Sequence, residues 1–151
     1  MPWDADVTPA YVEVSFSNVC NFGCAYCSPD ISSTIMQEAK RFGPVKLDGN
    51  RFDRDIIKLE KQGRMPIPNR EHNPYIEAFW AWWPTLIKDL KTLRITGGEP
   101  LMSGHTWKLI DWFKENKNKS STELAINSNL GFDQHVVDRL LDSTEGIKLS
   151  V

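Results

Sequence analysis

Apolar and polar residues alternate from Tyr11 to Ser17, YVEVSFS, and the apolar ones are β-branched or aromatic. A period of two predicts a strand with one buried face. The period changes beyond Asp30. In DISSTIMQEAKRF, Ile31, Ile35 and Ala39 recur at helical spacing behind Asp30, which has the chemistry of an N-cap. FGPVKLDGN reads as a loop, and RFDRDIIKLEKQG as a second helix ended by Gly63. Pro66, Pro68 and Pro74 make RMPIPNREHNP an extended linker. Helical spacing returns in YIEAFWAWWPTLIKDLKT, through Tyr75, Phe79, Trp83, Leu86 and Leu90, with Pro84 expected to kink the helix or start a new one. LRIT reads as a short strand. SGHTWKLIDWFKENKN reads as a helix with Trp107, Ile110 and Phe113 along one side. ELAINSN is a strand, DQHVVDRLLDS a helix and GIKLSV a final strand.

This alternation predicts an α/β fold, a parallel sheet covered by helices. Ligands of such sheets sit at the carboxyl ends of the strands. CNFGCAYC follows the first strand, GGEP follows the second, and NSN closes the third. The topology therefore brings three distant segments to one rim. No internal repeat or low-complexity segment interrupts the pattern.

Composition narrows the setting. The 151 residues fit one domain, with 40% hydrophobic and 25% charged residues, enough for a core. The formal net charge is −2, so no basic excess points to a nucleic-acid partner. No apolar run approaches the ~20 residues that cross a bilayer, and MPWDADVTPAYVEV lacks the basic-then-apolar order of a secretory signal. A reducing, cytoplasmic setting is the default expectation. There, clustered cysteines point to metal or redox chemistry ahead of disulfides.

All three cysteines, Cys20, Cys24 and Cys27, stand in one stretch spaced CxxxCxxC. Three soft thiolates suit an iron–sulfur cluster with one iron left open, or zinc completed by an outside ligand; three core thiols are the plainest alternative. His72, His105 and His135 have no finger-like spacing to them. In TGGEP, Gly97 and Gly98 allow close approach to the backbone, and Glu99 sets a carboxylate at the strand tip able to receive an ammonium group. A Gly-Gly turn with a solvated glutamate is the bland alternative. Asn127, Ser128 and Asn129 offer amide and hydroxyl groups at the same rim, or are simple turn residues. Tyr26 is placed to pack on a planar ligand group or to cover the loop. Phe79, Trp80, Trp82 and Trp83 cannot all face one side of a helix; a core stripe is their expected role, with some left to a pocket or partner.

The combination of CNFGCAYC after the first strand and TGGEPL after the second resembles the radical S-adenosylmethionine superfamily. The wider stretches CNFGCAYCSP and ITGGEPLM, with the tryptophan-rich helix between them, are similar to the branch that carries SPASM or twitch domains. The resemblance implies a partial TIM-type (βα) barrel, of which this chain supplies about four strands. It implies that Cys20, Cys24 and Cys27 ligate a [4Fe–4S] cluster whose open iron is chelated by S-adenosylmethionine. Gly97, Gly98 and Glu99 would hold the methionyl ammonium, and Tyr26 would lie beside the adenine. Asn127 or Ser128 would line the cofactor site, and Ser150 would contact ribose or carboxylate. The implied reaction is reductive cleavage of the cofactor to a 5′-deoxyadenosyl radical that abstracts hydrogen from a substrate. The implied partners are an electron donor such as flavodoxin or ferredoxin and a substrate for which the twitch-like likeness favours a peptide. The family core is usually six βα units, so the chain is expected to be the N-terminal portion of a longer protein. Two other classes stand beside this one: a zinc-stabilised, non-catalytic binding module, and an interaction protein that uses Trp82 and Trp83.

Overall fold

The computed structural model describes residues 2–5, 7–44, 55–117 and 120–151. Its centre is one sheet of four parallel strands in the order β1-β2-β3-β4. These are β1 (Tyr11–Ser15), β2 (Thr92–Thr96), β3 (Glu123–Ile126) and β4 (Leu149–Ser150). Tyr11 stands opposite Thr92 and Ser15 opposite Thr96; Ile95 stands opposite Ile126, and Ala125 opposite Ser150. The expected α/β fold with a parallel sheet is therefore present. Chain order and spatial order coincide, so the sheet contains no point at which the winding reverses.

The period of two in the strands decides which face is buried. Leu93 and Ile95 of β2 and Leu124 and Ile126 of β3 are almost fully buried. They pack with Phe79, Trp83 and Leu86 of α3 (Pro74–Leu86), Leu109, Ile110 and Phe113 of α4 (Gly104–Glu115), and Leu140 of α5 (Gln134–Thr144). Phe16, just past β1, joins this core edge-on to Phe79, with ring centroids 5.1 Å apart. Apart from the buried Ala125, the intervening strand residues form a polar face. There the Tyr11 and Thr96 hydroxyls donate to Glu13 (3.1 and 3.2 Å), and Arg94 donates to Asn127 (2.9 Å).

Two further helices precede α3: α1 (Ser33–Phe42) and α2 (Ile56–Lys61). The expected cap of α1 shifts. Ser32, not Asp30, is the N-cap, its hydroxyl accepting from the Ile35 amide. Asp30 is engaged elsewhere: Arg64 donates to it at 2.6 Å, and the Ser28 hydroxyl bonds to it. Ile35 and Ala39 are buried as the spacing predicts, whereas Ile31 falls in the turn before the helix and is exposed. Asp55 caps α2 by accepting from Lys58 N–H. The expected helix start at Arg51 and most of the FGPVKLDGN loop lie outside the described residues. Gly63 follows α2 with φ +64°, the left-handed conformation that ends helices.

Pro84 neither breaks nor restarts α3. It sits in the last turn, where a missing N–H costs a single helical bond, and the helix ends at Leu86. Leu90 is buried beyond the helix, and Tyr75, in the first turn, is exposed rather than part of the stripe. The tryptophans divide. Trp83 is 3% exposed and meets Trp112 edge-on at 5.2 Å, Trp80 is half-buried, and Trp82 is 42% exposed. Among the described residues no helix is long and apolar enough to cross a membrane.

The division of the tryptophans has a measurable consequence. Urea unfolding of Trp83→Ala should show a loss of about 3–5 kcal/mol, and Trp82→Ala a loss below about 1 kcal/mol. Equal losses would contradict the packing described.

Candidate functional site

The cysteine loop hangs between the end of β1 and the start of α1. Phe16 anchors its near side in the core. On its far side the first turn of α1 grips Cys20 by its backbone: Cys20 N–H donates to the Ser33 hydroxyl (3.0 Å), and the Thr34 hydroxyl donates to Cys20 C=O (2.7 Å). The Ser33 N–H also donates to Asn18 C=O at 2.7 Å. Within the loop, Cys27 N–H turns back to Cys24 C=O at 3.0 Å. The three cysteines are half-buried, and none forms a disulfide.

Tyr26 lies exposed beside the thiols. Its phenol is pushed above the ordinary tyrosine value, first by its hydrogen bond with Cys24 and then by the charges of Cys24 and Cys27. Among the described residues no three His, Cys, Asp or Glu side chains converge on a single metal ion. A cubane cluster asks for a different arrangement, with each thiolate on its own iron around a shared centre. Three soft thiolates on one loop, the first with its backbone held by α1, suit that group in donor chemistry.

The second segment meets the first directly. Gly98 N–H donates to Ser17 C=O (3.1 Å), and Glu99 N–H donates to Val19 C=O (2.7 Å). A Cβ on Gly97 would lie 2.5 Å from the Ser15 hydroxyl and from Ser17 C=O, and Gly97 has φ +117°. A Cβ on Gly98 would lie 2.5 Å from Asn18 C=O and would also strike Val19 C=O. The close approach that the glycine pair allows is therefore made by the protein's own backbone, at the root of the cysteine loop.

Glu99 is 2% exposed, not solvated. Its Oε1 accepts from Leu101 N–H (3.0 Å) and from the Ser128 hydroxyl (2.8 Å), and its Oε2 accepts from Asn129 N–H (2.8 Å). The 127–131 segment thus docks on Glu99, and it also reaches the cysteine loop. Asn129 Nδ2 donates to Asn21 Oδ1 (3.0 Å), and Asn21 Nδ2 donates to Gly131 C=O (2.7 Å). A Cβ on Gly131 would fall 2.5 Å from the Phe22 ring.

The structure therefore brings Cys20, Gly97, Gly98, Glu99 and Ser128 together at one rim. Asn127 stands at the edge of that group, its side chain held by Arg94 on the polar sheet face. Ser150 lies apart. It pairs with Ala125, two positions before Asn127, and its hydroxyl donates to Glu123 (2.6 Å). Asn129 belongs to the rim segment that the sequence points to, whereas Asn21, Gly131, Ser33 and Thr34 complete the site and carried no sequence signal beyond ordinary turn and cap chemistry.

Two cavities adjoin the rim on the helix side of β1. One, about 340 Å³, is lined by Ser17, Asn18, Ile67 and Phe79. The other, about 580 Å³, is lined by Met102, Ser103, His105, Lys108 and Glu71. His105 Nδ1 accepts from Trp80 Nε1–H at 3.2 Å, so the neutral ring carries its proton on Nε2. Burial, and then Lys108, hold the imidazole below its ordinary pKa.

Two outcomes follow. Gly98→Ala must separate the strand tips, lowering stability by about 1–3 kcal/mol and speeding hydrogen exchange at the Glu99 amide; unchanged exchange would refute the contact. Ser150, and after it Lys148, hold the Glu123 carboxyl below its ordinary value. Their contribution is complete above the ordinary carboxylate pKa and fades as pH falls through the lowered one. Ser150→Ala should move the Glu123 titration upward in a carboxyl-carbon NMR experiment, and an unmoved titration would remove the bond from the account.

Comparison with protein-family models, with curated proteins and with solved structures found no match for this chain.

Proposed function

We propose that this chain carries the cofactor site of a radical S-adenosylmethionine enzyme. The observation that supports the reading best is the junction of the two motifs: the backbone of Gly98 and Glu99 is bonded to Ser17 and Val19, one residue short of Cys20. The sheet supports it as well. Strands in sequential order without a reversal suit part of a (βα) barrel, where ligands meet the strand tips, better than a doubly wound sheet with its crevice at a switch point.

In this reading Cys20, Cys24 and Cys27 hold a [4Fe–4S] cluster, and the absence of a fourth thiolate leaves one iron for the amino and carboxylate groups of S-adenosylmethionine. Bound together, these groups supply reductive cleavage of the sulfonium C–S bond and a carbon radical that takes hydrogen from the substrate, for which a peptide is the proposed class. The chain itself positions and shields. The first turn of α1 fixes the Cys20 backbone. The Gly98 N–H and the space over both glycines are taken by the root of the cysteine loop, and the Glu99 carboxylate already accepts three bonds, so the Gly97 and Gly98 carbonyls are the groups of this motif proposed to accept from the methionyl ammonium. Tyr26 lies exposed beside the thiols, bonded to Cys24, and Asn127 is held by Arg94 on the polar sheet face. Ser150 would meet only a ligand that extends down that face. An electron-donating protein such as a flavodoxin or ferredoxin is the proposed partner.

Anaerobic reconstitution with iron and sulfide tests the reading. The expected result is a reducible cluster whose electron paramagnetic resonance spectrum changes on addition of S-adenosylmethionine. Zinc uptake without any iron–sulfur chromophore would replace the proposal with the zinc-stabilised module.

A further inference from the structure

Glu99 is the only charged side chain buried among the described residues. A buried carboxylate is costly unless its lone pairs are met. Two of its three donors, Ser128 O–H and Asn129 N–H, come from the 127–131 segment rather than from its own turn. Its burial is therefore compensated only while that segment is docked.

The docked segment in turn holds the cysteine loop. Asn129 uses both ends of its amide, accepting from Gly131 N–H (2.7 Å) and donating to Asn21 (3.0 Å). Asn21 returns a bond to Gly131 C=O, and the Phe22 ring rests against Gly131. Asn21 and Phe22 immediately follow Cys20. A continuous path of hydrogen bonds thus runs from the Glu99 carboxylate to the residue beside the first thiol. Three of the carboxylate's roughly four acceptor positions are met by the protein's own donors, and the residue is 2% exposed, so little of it is presented to an ammonium group.

We propose that Glu99 is a positioning residue: it locks the 127–131 segment, and through Asn129 and Asn21 it sets the cysteine loop that would hold the cluster. The inference rests on the reading of that loop as a cluster site. It differs from a ligand role in what else it requires, because Ser128 and Asn129 must then matter as much as Glu99.

The full chain, reconstituted with iron and sulfide and kept free of S-adenosylmethionine, provides the test. Glu99→Gln sets an amide NH2 against either the Asn129 N–H or the Leu101 N–H, whichever way the amide turns, and Ser128→Ala removes the hydroxyl. Each should speed iron loss to a ferrous chelator roughly tenfold, the scale of one hydrogen bond to a charged group. Ser128→Thr keeps the hydroxyl and should restore the wild-type rate. The double variant should lose iron no faster than the worse single one, since both break the same path. Iron loss that responds to Glu99→Gln alone, or effects that add, would overturn the proposal. Hydrogen exchange on the metal-free chain separates this outcome from failure of the cluster reading. Glu99→Gln should speed exchange at Asn129, Gly131 and Phe22 even if no iron is taken up. Faster exchange confined to Asn129 would defeat the inference whatever the metal content.

Discussion

Two backbone hydrogen bonds, Gly98 N–H to Ser17 and Glu99 N–H to Val19, decide what the rest of the site can be. They carry the pairing of β1 and β2 beyond the last ladder residues, Ser15 and Thr96. The step is uneven: one residue on the β2 side answers two on the β1 side. Gly97 takes up the mismatch with its positive φ, and Gly98 leaves room for the carbonyls of Asn18 and Val19. Side chains at either position would hold the tips apart. With the tips joined, the root of the cysteine loop is fixed to the sheet, and Glu99 is turned inward toward the segment that returns from β3.

The layout of this molecule was legible because its signals are local. Alternation in YVEVSFS and helical spacing in α1, α3 and α4 depend on neighbours a few residues away, and the described strands and helices lie within the segments expected, though β3 stops at Ile126, β4 is only Leu149–Ser150 and α3 stops at Leu86. Misreadings arise where a distant residue decides. Asp30 and Ser32 are both good caps, and Arg64, which engages Asp30, leaves the role to Ser32. Pro84 reads as a break until the helix is seen to end two residues later. The same limit applies to the site. Two glycines announce a close approach, but not that the approaching group is the chain itself. A glutamate at a strand tip can face solvent, a ligand or the interior, and the choice belongs to Ser128 and Asn129 on another strand's loop.

The polar face of the sheet bears on both matters. Parallel sheets are commonly covered on both faces and apolar on both. Here three of the residues that alternate with the core, Glu13, Arg94 and Glu123, carry charge: Glu13 is held by Tyr11 and Thr96, and Glu123 by Ser150 and Lys148. An apolar layer laid on this face would strand those groups without water, at a cost that packing would not offset. Water or a polar ligand suits it. Arg94 lies within the face, its Nε buried without a partner among the described residues while its guanidinium bonds Asn127. Asn127 is followed directly by Ser128, which binds Glu99. A ligand that engaged Arg94 would therefore meet the chain one residue from Ser128, the hydroxyl that binds Glu99, so the open face and the buried carboxylate share one short segment of backbone.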